Sequence, residues 1–318
     1  MDKIQKFFIS EIEISRDFLE KIFKNFYNCL LPRREEVNEM NYFPIPDADT
    51  GTNLSLTLNG IVKGIRQGNY RLKKDLVEAL IQKRRGILLS SGRGNAGVIF
   101  TGWFRGFLNC LKEELLILNS ETLSAALKEG EKEGYKVFID PKEGTILDPI
   151  SVAAEVSLSN FKEEPNLISL FDKIISEVKV SVQNTTEKLD DLLKDKYPLK
   201  EIQKLKERKV VDAGALGFLI FLEGFKETVL ERIKEKGGAV MVIEGENLDP
   251  ELLKERFSAL GDSLDIISSG EEAMLHIHTD LPEKAFEAAR EFGRIEEFRI
   301  EDLTEENLII EGGEKWKE

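Results

Sequence analysis

The chain has 318 residues, 41% of them hydrophobic and 33% charged, which is enough apolar content for a sizeable core and more length than a single domain usually needs. A formal net charge of -14 would repel a phosphate backbone, which argues against a nucleic-acid partner. The amino terminus has no basic segment leading into an apolar signal core, and no stretch approaches the ~20 apolar residues that span a bilayer, so a cytoplasmic protein without membrane insertion is expected. From residue 5 to about 235, apolar side chains recur at spacings of three and four, as in Phe18-Leu19-Ile22-Phe23-Phe26, Leu54-Leu58-Ile61-Ile65 and Val98-Ile99-Trp103-Phe107-Leu108. This period predicts an all-α region. Polar or glycine-rich joints break it near 44–51, 90–94, 141–144 and 209–214, and those joints are where chemistry can sit. Cys29 and Cys110 fall in apolar, helix-like surroundings without a Cys-x-x-Cys partner and read as buried small hydrophobes.

After Gly237-Gly238 the pattern changes. Residues 239–243, 264–268, 273–278 and 295–300 read as strands, with 250–260 and 282–292 as helices. The order βαββαβ predicts a split-βαβ, ferredoxin-like layer of sheet on helices. The expected chain is therefore α+β and multidomain: an all-α helical domain over 1–236 and a small α/β domain over 237–318, whose charged tail 311–318 is expected to fray.

The first joint reads Asn41-Tyr42-Phe43-Pro44-Ile45-Pro46-Asp47-Ala48-Asp49-Thr50-Gly51-Thr52-Asn53. Prolines stiffen the approach, and small polar groups follow where the next helix starts. Carboxylates crowded at i and i+2 repel one another unless a cation lies between them, and hard oxygen ligands of this kind suit Mg²⁺ bridging to phosphates. An Asx turn with a helix cap explains any one of these residues as well, and the residues alone leave the two readings balanced.

Next comes Ser90-Ser91-Gly92-Arg93-Gly94-Asn95-Ala96-Gly97, followed at once by an apolar helix from Val98. A glycine-rich turn opening a helix presents free N–H groups and a positive dipole end to a phosphate. Gly92, Gly94 and Gly97 match the dinucleotide fingerprint by spacing, but 76–87 reads as helix rather than strand, and no Gly-Lys-Ser/Thr ends the loop as in a P-loop. A tight helix–helix corner is the structural alternative; Arg93 pointing toward an anion would decide against it. In the third joint, Val210-Val211-Asp212-Ala213-Gly214-Ala215-Leu216-Gly217, Asp212 reads most simply as an N-cap.

Both histidines of the chain lie in His276-Ile277-His278-Thr279-Asp280 of the second domain. Alternation along a strand puts both imidazoles on one face, where they could share a zinc ion. Two ligands do not complete such a site and neither cysteine lies in this domain, so a structural role is favoured. The helical domain contains no histidine, which excludes a histidine base or phosphohistidine supplied by it.

Taken together, Asn41 to Asn53, then Arg93-Gly94-Asn95-x-Gly97-Val98, Glu143-Gly144-Thr145-Ile146-Leu147 and Val211-Asp212-Ala213-Gly214, resemble the DhaL-like domain, the ATP-binding domain of dihydroxyacetone kinases. More narrowly, they resemble the catalytic subunit of bacterial fatty acid kinase over about residues 10 to 230. Leu260-Gly261-Asp262-Ser263-Leu264 and His276-Ile277-His278-Thr279 are similar to that subunit's middle domain. The resemblance implies a barrel of antiparallel helices that binds ATP at one mouth, with two Mg²⁺ ions on the acidic loop. It carries Asp47 and Asp49 over as metal ligands and puts Asn41 near a further one. Thr50, Thr52, Asn53 and Asp212 would surround the nucleotide, Gly94, Asn95, Ala96 and Gly97 would cradle phosphates, and Arg93 would be an extra cation.

The resemblance further implies phosphorylation of a fatty acid carboxylate delivered by a separate DegV-like fatty-acid-binding protein, and a homodimer is compatible with it. A carboxylate is already ionised at pH 7 and attacks phosphorus without a general base. The sequence departs from the family at Ala48, where a glycine is usual, at Ala96, where a serine is usual, and at Gly214-Ala215-Leu216-Gly217, where Gly-Gly-Gln-Gly is usual. The family's zinc-holding cysteine aligns near Gly238, and the family's carrier-docking C-terminal domain finds no room before Glu318. Two alternatives follow: a dihydroxyacetone-kinase-like ATP subunit that works on a small polyol or a partner, and a non-catalytic nucleotide-binding regulatory module.

Overall fold

The computed structural model describes residues 11–302 apart from 69, 71, 83, 84, 112–116, 138–140, 165, 247 and 280. The tail 311–318 lies outside the described residues. Two compact units emerge: Ile14–Glu164 with Ser169–Thr228 forms one, and the chain from Val229 onward supplies most of the other.

The first unit is carried by α1 (Arg16–Leu30), α2 (Arg34–Glu39), α3 (Thr50–Gln67), α4 (Lys73–Ile81), α5 (Ile87–Ser91), α6 (Gly94–Cys110), α7 (Ser120–Tyr135), α8 (Leu147–Asn160), α9 (Leu167–Asn184), α10 (Leu189–Leu193), α11 (Leu199–Glu207) and α12 (Ala213–Lys236). Ser15 starts α1 by accepting the Phe18 N–H on its hydroxyl at 3.1 Å, which satisfies one of the donors that a helix start leaves open. The buried stripe Phe18, Leu19, Ile22, Phe23, Phe26 and Leu30 follows the helical period. It meets an aromatic core supplied by α6 and α12, in which Trp103 stacks on Phe107 at 5.0 Å and Phe104 meets Phe221 edge-on at 5.1 Å. Offset and edge-on contacts of this kind add to the burial that large rings already contribute. This rigid centre holds the helix ends where the joints emerge.

Two three-residue strands, β1 (Glu11–Glu13) and β2 (Ile117–Asn119), depart from the all-α expectation. Three residues are too few for alternation to register in a sequence. Cys29 and Cys110 are unbridged and half-buried rather than buried, because each sits in the last turn of its helix, at the edge of the apolar stripe.

In the second unit, β3 (Gly237–Glu244), α13 (Pro250–Phe257), β4 (Asp262–Ser268), β5 (Glu272–His278), α14 (Pro282–Ala289) and β6 (Arg294–Asp302) follow the expected βαββαβ order. The sheet runs β4-β5-β3-β6 with antiparallel neighbours, the arrangement of a split-βαβ layer. Buried Leu253, Phe257, Ala285 and Ala288 on the helices cover the buried sheet residues Ala239, Met241, Leu275 and Ile277. The units divide at Thr228/Val229, inside α12, and not at Gly237-Gly238 where the period changes. A boundary that runs through a continuous helix leaves no mark in the periodicity. No helix among the described residues is long and apolar enough to cross a membrane.

Candidate functional site

A cavity of about 490 Å³ opens in the helical unit where the joints converge. Its walls come from the loop before α3, the start of α6, the turn before α8 and the start of α12. Of the residues singled out above, Asn41, Asp47, Asp49, Thr50, Asn53, Gly94, Asn95, Ala96 and Asp212 line it, whereas Thr52, Arg93 and Gly97 do not.

The acidic loop is fastened by Asn41, which is buried. Its amide donates to the Ile45 carbonyl at 2.6 Å and to Asp47 Oδ1 at 2.9 Å, and its own oxygen accepts the Thr50 hydroxyl. Asn41 therefore braces the loop from inside. Between the two aspartates Ala48 takes a left-handed backbone, φ 52°, a conformation that glycine adopts more cheaply. Asp49 occupies the N-cap position of α3 without spending its carboxylate on a capping bond. Burial holds the Asp49 carboxyl above its usual range, against the lowering effect of a hydrogen bond from Asn53, and the Asp47 charge adds to the rise. The loop is also held from outside: Tyr42 and Phe43 pack on the cluster Leu189, Leu193, Ile202, Leu205 and Val210 of the α10–α11 hairpin. Lys196 donates to the Pro44 carbonyl and Arg208 Nη1 to the Tyr42 hydroxyl at 3.3 Å.

At the start of α6, Gly94 has φ 62°, and a Cβ there would lie 2.7 Å from Asn53 Nδ2. Glycine is what allows the two lining segments to touch. Gly97 serves packing: a Cβ would come within 2.5 Å of Thr57 Oγ1, so α6 lies directly on α3. That same hydroxyl accepts the Arg93 N–H at 3.0 Å. The Arg93 guanidinium wraps its own turn, donating to the Ser90 carbonyl at 3.0 Å and the Gly92 carbonyl at 2.9 Å, so it does not supply the cavity with the expected extra cation. Thr52 turns to α2, where its hydroxyl accepts from Asn38 Nδ2 at 3.2 Å and its N–H donates to Asn38 Oδ1 at 3.1 Å.

Asp212 caps α12 by accepting the Ala215 N–H at 2.8 Å, and its own N–H donates to Thr185 Oγ1 at 2.9 Å. The residue is partly exposed where it lines the cavity, and burial of its carboxyl pushes it up to about 7 in spite of the backbone N–H groups it accepts. The neighbouring Asp148 carboxyl is also held up by burial, opposed by the Gly144 N–H on its Oδ2 at 2.8 Å.

Lys142, Thr145, Ile146 and Leu147 complete one wall, and Phe43 and Ile45 add apolar surface. The joint 141–144 carried a turn signal in the sequence, but nothing in the type of residue marked Lys142 as a lining group.

The donor set suits a hard divalent ion. Asp47 and Asp49 face one cavity, and among the described residues no group of three or more histidines, cysteines or acids is placed to hold a metal. Asp47 and Asp49 could hold such an ion, with the side-chain oxygens of Asn41, Thr50 and Asn53 on the same cavity, and Mg²⁺ is a hard ion that few carboxylates suffice to bind. In the second unit the His276 and His278 rings lie 5.1 Å apart, and His276 Nε2 is buried without a hydrogen-bond partner. Among the described residues no third histidine, cysteine or acid joins this pair.

The DAK2 domain matches residues 44–227, so the chain belongs to the DAK2 domain family, which is kinase-related. The middle domain of FakA-like fatty acid kinase proteins matches residues 229–308. The chain is accordingly a DhaL-like protein of the FakA type, and the boundary between the two matches falls where the compact units divide. Uncharacterized proteins of Staphylococcus aureus strains USA300 and N315 are each 29% identical to it over 307 residues, which is 86% of this chain and 53% of the relative. The chain thus spans about half the length of these curated relatives.

Proposed function

We propose that the chain is a Mg·ATP-dependent phosphotransferase acting on the carboxylate of a fatty acid that a separate DegV-like protein presents. The observation that carries this reading is the meeting of Asp47 and Asp49 with Thr50, Asn53 and the first residues of α6 on one cavity. Asp47 and Asp49 would hold the magnesium. An ion held there would supply positive charge against that developing on the phosphate during transfer.

Gly94, Asn95 and Ala96 open α6, where the first N–H groups and the helix dipole favour a phosphate. Buried Ile99, Ile146 and Leu147 give the cavity an apolar wall suited to a nucleotide base. Asp212, which holds its proton for much of the time near neutral pH, can donate to an anionic ligand instead of repelling it. The carboxylate acceptor agrees with the absence of histidine from residues 1–236, since an ionised acceptor needs no base.

The test is calorimetric titration of ATP with and without Mg²⁺ on wild type and Asp47→Asn, with acyl phosphate assayed in the presence of a fatty-acid-loaded DegV-like protein. Mg²⁺-dependent binding that the variant loses, together with acyl phosphate from wild type, is the expected result. Binding without transfer would favour a non-catalytic nucleotide-binding module, and transfer to a small polyol a dihydroxyacetone-kinase-like protein. No binding at all would overturn the reading.

A further inference from the structure

The charge on the cavity wall is unbalanced. Among the described lining residues, Asp47, Asp49 and Asp212 carry carboxyl groups and Lys142 alone carries a cation. A polyphosphate entering such a site needs positive charge from the protein as well as from metal, because opposed charges in a partly enclosed cavity interact more strongly than in water. Arg93, next to the glycine-rich turn, is committed to the Ser90 and Gly92 carbonyls.

Lys142 stands on a fixed base with an exposed side chain. Its carbonyl accepts the Thr145 hydroxyl at 2.7 Å. Two residues on, Gly144 takes a left-handed backbone, φ 79°, and donates its N–H to Asp148 Oδ2 at 2.8 Å. The root of the lysine is thereby set at the entry to α8, on the cavity wall, and its long stem can reach a ligand there. A compact ammonium on a flexible stem meets a phosphate as a point charge and needs no bidentate geometry.

We propose that Lys142 contacts the terminal phosphates of the nucleotide, an inference that rests on the ATP-dependent reading above. Its place in the turn before α8 puts it on a wall segment separate in the chain from the residues that open α6.

The experiment is calorimetry of ATP and AMP, each with Mg²⁺, on wild type, Lys142→Met and Lys142→Arg. Because Lys142 is exposed, both variants are expected to fold, and their melting curves check this. Lys142→Met should weaken ATP binding on the order of tenfold while AMP binding stays within about twofold, and Lys142→Arg should keep most of the ATP affinity. ATP affinity unchanged in Lys142→Met, or ATP and AMP weakened equally, would overturn the assignment while leaving the ATP-dependent reading in place. A wild type that binds no ATP would overturn both.

Discussion

The Asn41 amide donates to the Asp47 carboxylate at 2.9 Å, so the residue that ties the acidic loop together also holds one of its two acids in place. Asn41→Asp exchanges that donor for a third carboxylate facing Asp47. Without metal, the variant should lose about 1–3 kcal/mol of stability through the lost donor and the added repulsion. Added Mg²⁺ should then raise its melting temperature by more than that of wild type. Thermal melts with and without Mg²⁺ check this, and an ion that stabilises neither protein would speak against a metal on this loop.

Ala48 holds φ 52° between the two aspartates, where a side chain costs about 1–2 kcal/mol. Ala48→Gly removes that cost but gives the unfolded chain more freedom, so the net gain should be about 0.5–1 kcal/mol. Ala48→Val should destabilise instead. Urea unfolding of the three proteins measures the order, and a valine variant as stable as glycine would show that the turn is not left-handed.

Gly97 and Thr57 set the distance between α6 and α3. In Gly97→Ala the new methyl meets the Thr57 hydroxyl, and the expected loss is about 1–3 kcal/mol from overpacking. Adding Thr57→Ala should recover part of it, since the two changes share one contact. A double variant no more stable than the sum of the singles would place the strain elsewhere.

Asp212 links stability to pH. The folded chain holds this proton more tightly than the unfolded chain does, so the group's contribution is complete below the unfolded value of about 4 and is lost as pH rises through about 7. Asp212→Asn keeps a side chain able to cap α12 and has no proton to release. The melting temperature of the variant relative to wild type should therefore rise between about pH 5 and about pH 8. A difference that does not change with pH would mean that the carboxyl titrates in its ordinary range.

Periodicity made much of the fold legible. The stripe Phe18 to Leu30 and the alternation in 273–278 are local patterns, and the elements they predicted are present. Crowded acids and proline likewise drew attention to Asp47 and Asp49. Side-chain direction was not legible: one step along a helix turns the chain by about 100°, so Thr52 faces α2 while Thr50 and Asn53 face the cavity. Arg93 lay beside the turn in sequence but turns back onto it. Lys142 reads as an ordinary surface lysine until the fold brings residue 142 to the same cavity as residues 47, 94 and 212.

The Thr185 hydroxyl accepts the Asp212 N–H, and the Thr186 hydroxyl donates to the Val210 carbonyl at 2.9 Å. The chain thus sets out from the end of α9 and comes back to the start of α12 at nearly one point. The α10–α11 hairpin is a closed excursion, and it can be shortened or exchanged without rerouting α9 or α12. What such a graft alters is the support under Tyr42 and Phe43, so the hairpin is a part through which the acidic loop can be retuned independently of the aromatic core.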